Sequence, residues 1–398
     1  MTPADLAPLF APLTIGRMHL PNRFVLPGMQ RGWCENGAPS DKLAAYYRRR
    51  VEGDVGLLIS ESVAVDHPSA TQSPLFARLT ADTLPAWAAC VAAVKSAGGH
   101  ILLQLWHEGA IRADGGEGPW SHHPTISPSG LAHTGRTNGR AATADELVAI
   151  RDAFVRSARL AQDAGADGVE VHGAHGYLID QFLWPVTNRR EDGYGGDAMA
   201  DRVRLPAEIV AAIRAACGPD FVISFRFSQW KEVDFGGRIA DTPDELAIMV
   251  ARLGEAGVDL FHASTRRFWE PEWPGSPLNL AGWTRKLSGL PTITVGSVGL
   301  SSDVMDSLLG KEVASRLEPS LADLVKRLDA GEFDLVSVGR SLIADPDWVR
   351  KIARGDFGSV RTFQRSDLAL PDADMGIIGE VHGQKPPTDG RGDDLRRP

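Results

Sequence analysis

Short apolar runs alternate with longer amphipathic stretches along almost the whole chain. Eight runs read as strands, at 24–29, 55–60, 100–107, 168–172, 221–227, 260–264, 292–298 and 335–339. Most are continuous in Val, Ile, Leu and Phe rather than strictly alternating, which suits parallel strands covered on both faces. The stretches between them read as helices, roughly 40–52, 83–97, 143–164, 201–216, 243–256, 282–287, 301–309 with 321–330, and 346–354. Several carry boundary chemistry. Thr143-Ala-Asp-Glu146 is a capping box and Gly165 closes that helix. Thr242 caps a helix that begins at Pro243, and Gly257 closes it. The pattern Ala-Gly-Xaa-Asp occurs at 164–167 and at 256–259, each time as a helix end feeding a strand. This alternation predicts an α/β fold, a single closed (β/α)8 TIM barrel, with a doubly wound open sheet as the competing arrangement.

Two long excursions interrupt the pattern. Residues 108–142 follow the third strand and 265–281 the sixth, both at strand C-terminal ends, where barrels build their active sites. No linker divides residues 1–365, which form one barrel domain. The polar, Pro/Gly-rich stretch 366–398 reads as a poorly ordered tail. The length of 398 residues by itself admits two to three domains or one large barrel.

Charge and cysteines narrow the class. A net charge of −9 argues against a nucleic-acid partner, which needs a basic face. It still allows a local basic pocket for one phosphate. No apolar run is long enough to span a bilayer, so no membrane partner is expected. The N-terminus lacks the basic and apolar regions of a signal peptide, and a cytoplasmic location is the simplest expectation. Cys34, Cys90 and Cys217 lie far apart and form no CxxC pair. Zinc ribbons, iron–sulfur clusters and a disulfide framework are therefore not expected. Each cysteine reads as a small buried hydrophobe.

Polar residues gather at strand ends, where a barrel brings them to one mouth. Gln104, Trp106 and His107 lie on strand three; His172, His175 and Tyr177 follow strand four; Arg226 sits within Phe-Arg-Phe on strand five. Gly296 ends strand seven, and Gly339 with Arg340 ends strand eight. The turns after strands seven and eight either free backbone N–H groups for a phosphate, with Arg340 as a fork of donors, or are ordinary strand exits. Arg226 requires a partner, either a strand-end acid such as Glu170 or an anionic ligand. Gln104 is either a core amide or a partner for a heterocycle carrying C=O and N–H. His172 and His175 lack a third ligand at metal-site spacing, so no metal is expected. They can instead donate to one carbonyl or phenolate oxygen, with the Tyr177 hydroxyl as a proton source or a core group. His122 and His123 fall in the long loop and are expected to be solvated.

Taken with LFAPLTIG, NRFVLPGMQR, QLWHEG, DGVEVHGAHGYLIDQFLWPVTNRREDGYGG, VISFRFS, TITVGSVG and DLVSVGRSLIADPDWVRK, the chain resembles the old yellow enzyme family of FMN-dependent ene-reductases from about residue 9 to about residue 355. The stretch 167–196 carries most of that specificity. The family's fold is a (β/α)8 barrel. The resemblance implies FMN as cofactor and NADPH or NADH as reductant. It also implies a small-molecule substrate with a C=C bond conjugated to a carbonyl. Gln104 would bond the flavin pyrimidine edge, and Arg226 would lie near N1 and O2. Gly296, Gly339 and Arg340 would hold the phosphate. Pro27, Gly28 and Gln30 would line the flavin at the strand-one exit. His172 and His175, with Trp106, would bind substrate, and Tyr177 would protonate it. The sequence leaves homo-oligomerisation open.

Departures from the family pattern are specific. Where relatives commonly read Ala-Pro-Met-Thr-Arg, or the same with Cys before Arg, this chain reads Pro27-Gly28-Met29-Gln30-Arg31. Gln30 thus replaces a hydroxyl or thiol near the flavin, which implies an altered potential and pocket. Ala110 stands where many relatives have Arg. Phe268, Trp269 and Trp273 either line a large substrate pocket or pack on the barrel rim. Without a cysteine cluster or a nucleotide-binding extension, the chain departs from the iron–sulfur branches of the family. Alternative readings are a flavin dehydrogenase or demethylase on the same barrel, a flavin-binding protein with low turnover, and, more distantly, a cofactor-free barrel lyase.

Overall fold

The computed structural model describes residues 1–113, 118–133, 135–303, 306–307 and 311–369. Eight strands of the central sheet close into the barrel: β1 (Phe24–Leu26), β2 (Leu57–Ala64), β3 (Ile101–Trp106), β4 (Gly168–His175), β5 (Val222–Lys231), β6 (Leu260–Ser264), β7 (Thr292–Val295) and β8 (Leu335–Ser337). Every neighbouring pair is parallel. β8 pairs with β1 through Val336 and Phe24, and β1 with β2 through Val25 and Leu57, so the sheet closes. Closure decides for the barrel over the open sheet.

Helices cover the outside: α1 (Asp41–Val51), α2 (Leu84–Ser96), α3 (Ala144–Asp163), α4 (Arg204–Cys217), α5 (Pro243–Ala256), α6 (Leu280–Ser288), α7 (Leu317–Asp329) and α8 (Trp348–Ala353). The capping box of α3 is made: Thr143 Oγ1 accepts from Glu146 N at 3.3 Å, and the Glu146 carboxylate accepts from Thr143 N at 2.8 Å. α5 begins at its proline and ends on Gly257 at φ +114°, as its sequence predicts.

Lumen-facing side chains change character along the barrel axis. Successive strand residues point to opposite faces, so positions i and i+2 line the same side. At the bottom Val25, Leu57, Ile59, Leu102, Val222, Leu260, Ile293 and Leu335 form a dry floor. An N-terminal hairpin, Leu13–Ile15 with Met18–Leu20, plugs it from below. Two residues further up stand Gln104, Glu170, Ser224 and His262, all at 0% exposure. Two more bring Trp106, His172, Arg226 and Ser264 to the mouth. The strands that read as continuous apolar runs thus carry a period-two code on their inner face.

Element boundaries differ from expectation for identifiable reasons. β1 stops at Leu26 because Pro27 has no N–H for the ladder. β2, β4 and β5 run on to Ala64, His175 and Lys231, past the sheet rim. The single helix expected at 201–216 is two, Met199–Arg202 and α4. A short helix at Arg340–Ala344 was not expected. The helix expected at 301–309 and the tail expected at 366–398 lie partly outside the described residues; the start of that tail is a 3-10 turn, Arg365–Ala369, with Leu368 buried.

Candidate active site at the barrel mouth

The polar layer is one connected network. Gln104 Nε2 donates to Glu170 Oε1 at 2.8 Å, and Ser62 Oγ donates to Gln104 Oε1 at 2.8 Å. Glu170 Oε2 accepts from Ser224 Oγ at 2.9 Å and lies 2.9 Å from His262 Nδ1. Burial works against ionisation of Glu170. The hydrogen bonds from His262 and Gln104 and the charge of Arg226 nevertheless hold its pKa down at about 2. The Gln104 amide retains one N–H and one carbonyl lone pair beyond these bonds.

Above this layer His172, His175 and Tyr177 converge. The His172 ring centroid lies 5.2 Å from those of both His175 and Tyr177, with edge-to-face angles of 80° and 88°. A register shift between Gly173 and His175 and a left-handed backbone at His175, φ +65°, turn the chain so that all three side chains share the mouth. His172 Nδ1 accepts from Ala174 N at 3.3 Å, which leaves Nε2 as the donor. His175 Nε2 lies 2.8 Å from Ser264 Oγ. Burial, reinforced by Arg226, lowers the pKa of His172 to about 3 and that of His175 well below its ordinary value. Both are neutral N–H donors at physiological pH. Burial and then Glu232 raise the Tyr177 pKa well above its usual value, so the phenol keeps its proton. The Trp106 ring meets Tyr177 edge-on at 5.2 Å.

Among the residues expected to contact FMN, the protein leaves several buried polar atoms unsatisfied. Neither end of the Gln30 amide has a hydrogen-bond partner among the described residues, although both atoms are shielded from water. The same holds for Arg226 Nε. Arg226 makes only long bonds, to Gly28 O at 3.3 Å and Ser264 Oγ at 3.4 Å. Among the described residues no carboxylate lies within ion-pair distance of it, and Glu170 is engaged elsewhere. Leaving such groups unpaired costs about 1–3 kcal/mol each. A planar heterocycle with carbonyl and N–H edges fits them. Gly28 permits this arrangement, because a Cβ there would lie 2.7 Å from both Gln104 amide atoms and from Ser60 O.

At the opposite side the picture differs from a free phosphate fork. Arg340 donates to Asp303 O at 3.0 Å and Ser297 Oγ at 3.2 Å, and also bonds Ser302 O and Ser307 Oγ. Its terminal nitrogens therefore tie the β8 exit to Ser297, Ser302, Asp303 and Ser307. Arg266 and Arg267, which sequence reasoning passed over, both reach Asp303 Oδ2, at 2.6 and 2.9 Å. They add two cations beside Arg340. Gly296 has φ +145°, and a Cβ there would meet Thr265 Oγ1 at 2.7 Å. At Gly339 a Cβ would come 3.2 Å from Met29 Sδ.

The two excursions resolve differently. Phe268 is fully buried, and Trp273, 8% exposed, donates its indole N–H to Asp241 O at 2.7 Å and packs on Trp283. Rim packing is what the structure shows for both, with Trp269 half-buried against Phe268. In the longer loop His122 is exposed but His123 is half-buried beside it, a partial correction to the solvated pair expected. Cys34, Cys90 and Cys217 are all buried. Among the described residues no cluster suited to a metal ion occurs, and no helix is long and apolar enough to cross a membrane. Glu232, Trp230, Ser264 and His262 were also missed. Trp230 and Glu232 lie beyond the predicted end of strand five, and His262 was hidden in an apolar run.

Residues 8–315 match the model of the NADH:flavin oxidoreductase / NADH oxidase family. The chain is 37% identical over 364 residues to an NADH oxidase from Thermoanaerobacter brockii, covering 89% of this chain and 52% of that protein. It thus spans about half the length of that relative. It is 31% identical over 352 residues to a putative 12-oxophytodienoate reductase 3 from Oryza sativa subsp. japonica, covering 87% of this chain and 86% of the relative. Among solved structures, morphinone reductase in complex with tetrahydroNAD superimposes with a TM-score of 0.74 at 26% identity, over 90% of this chain and 93% of that one. The closed barrel, the mouth that fits a flavin and these matches lead to one assignment: the chain belongs to the NADH:flavin oxidoreductase / NADH oxidase family, the FMN-dependent oxidoreductases of the old yellow enzyme type.

Proposed function

We propose that this protein uses NADPH or NADH to reduce the C=C bond of α,β-unsaturated carbonyl compounds, with FMN as the hydride carrier. The observation that carries this reading is the convergence of two neutral imidazoles and one protonated phenol within 5.2 Å ring spacings at the barrel mouth. Relatives named as reductases support it. FMN, when bound, supplies hydride transfer between the nicotinamide and the substrate.

The chain's own residues do the rest. Gln104, oriented by Glu170 and Ser62, and the unpaired amide of Gln30 would hold the flavin ring. Arg226 would set a positive charge at its pyrimidine side. His172 and His175 donate N–H bonds to the substrate oxygen and stabilise the enolate-like charge that develops there; one such donor is worth about 3–4 kcal/mol of barrier in comparable sites. Tyr177 delivers the proton to the α-carbon. Neutral imidazoles suit this work, since they polarise the oxygen without holding a tightly bound anion.

The test is optical. Purified protein should be yellow and release FMN on denaturation, bleach with NADPH or NADH without oxygen, and recolour with cyclohexenone. Colourless protein that FMN does not reconstitute rejects the reading. Bleaching without recolouring would favour a dehydrogenase or a flavin-binding protein of low turnover.

A further inference from the structure

We propose that Glu232 is the relay that returns a proton from solvent to Tyr177 once Tyr177 has given its own to substrate. This rests on the reading above, in which Tyr177 is the donor. Tyr177 is only 8% exposed, and Trp106 and His172 flank its ring. Its hydroxyl donates to Glu232 Oε2 at 3.4 Å. Glu232 itself is exposed to solvent. One carboxylate therefore touches the enclosed phenol on one side and water on the other. No part of the proposed half-reactions uses it.

The placement of Glu232 is built rather than incidental. Its backbone N–H donates to His175 O at 3.3 Å, which joins it to the turn carrying Tyr177. The preceding residue, Lys231, lies 2.8 Å from Asp180, and both side chains are at 0% exposure. Asp180 Oδ2 accepts from Gly176 N at 2.8 Å, and Lys231 Nζ donates to Ser228 O at 3.1 Å. This buried clamp locks the end of β5 against residues 175–177. Other charges facing the pair are Arg226, which favours the anionic forms of both, and Glu108, which opposes phenolate.

The proton balance closes without a further reactant. The Tyr177 O–H bond breaks as a C–H bond forms on the substrate, leaving a phenolate. The Glu232 carboxylate takes a proton from water, and that new O–H bond breaks as the phenol O–H re-forms. No electron changes hands.

The experiment follows tyrosinate. Holoenzyme reduced anaerobically with NADH is mixed with cyclohexenone, and flavin colour and the ultraviolet absorbance of tyrosinate are recorded, with Tyr177→Phe as the blank. In the parent, tyrosinate should decay along with flavin reoxidation. In Glu232→Gln the first reoxidation still completes, but tyrosinate should outlive it on the order of tenfold to a hundredfold. Glu232→Asp, or a small diffusible acid, should shorten that lifetime again. Tyrosinate that disappears as fast in Glu232→Gln as in the parent overturns the relay. Absence of tyrosinate in both, with Tyr177→Phe reoxidised at the parental rate, removes the donor role and the relay with it. Failure of NADH to bleach the flavin instead contradicts the enzymatic reading itself.

Discussion

Glu170 holds the side-chain amide of Gln104 in one orientation: Gln104 Nε2 donates to Glu170 Oε1 at 2.8 Å while Ser62 Oγ fixes the other end. All of Glu170 lies out of water, so its charge acts on the barrel mouth with little screening. Glu170→Gln removes that anion and lets the Gln104 amide flip. We expect FMN affinity, read by quenching of flavin fluorescence, to fall about tenfold, equivalent to ~1.4 kcal/mol. The midpoint potential of whatever flavin remains should rise, because Arg226 is then unopposed.

Gly28 tests the same contact from the other side. A methyl group there would lie 2.7 Å from both Gln104 amide atoms. Gly28→Ala should cost about 1–3 kcal/mol in thermal or denaturant unfolding, as overpacking does, and weaken FMN binding in parallel. Full affinity in this variant would show that Gln104 is not a flavin contact.

Gln30 should behave oppositely in the empty and loaded protein. Its amide is buried without a partner among the described residues. Gln30→Met should stabilise the apoprotein by about 1–3 kcal/mol while weakening FMN binding. Gln30→Thr should shift the flavin midpoint potential. An unchanged potential would mean that residue 30 does not touch the redox-active edge.

His172 has a pH signature with a definite sign. Its pKa is about 3 in the folded protein and near the ordinary histidine value of 6.5 when unfolded. Between these values the unfolded chain binds a proton that the native state does not. Folding stability from this group is therefore complete above pH 6.5. It falls as pH drops toward 3, by about 1.4 kcal/mol per unit. Melting curves of His172→Asn and the parent, compared from neutral to mildly acidic pH, should show the variant losing less stability. Parallel curves would mean His172 is protonated in the native state.

The sequence made the barrel legible because eight apolar runs, each followed by helical periodicity, leave few other ways to bury both faces of a sheet. The site was legible where its residues stand at strand exits, as His172, His175, Tyr177 and Arg226 do. It was illegible where a polar side chain is set in an otherwise apolar run, as with His262 and Ser224. Only the inward-facing alternation, fixed by closure, separates these from core positions. The state of Arg340 was also beyond reach. The sequence offers its guanidinium as a phosphate fork, whereas here its terminal nitrogens bond Asp303 O and Ser297 Oγ.

The central claim is that the mouth formed by His172, His175 and Tyr177 reduces enones through FMN. The most direct measurement is the anaerobic reoxidation of NADH-reduced holoenzyme by cyclohexenone, compared between the parent and Tyr177→Phe, alongside the rate of bleaching by NADH. Bleaching at the same rate in both, with reoxidation slowed on the order of a hundredfold or more in Tyr177→Phe, is the predicted result. Equal reoxidation rates, or a parent flavin that cyclohexenone leaves bleached, would contradict it.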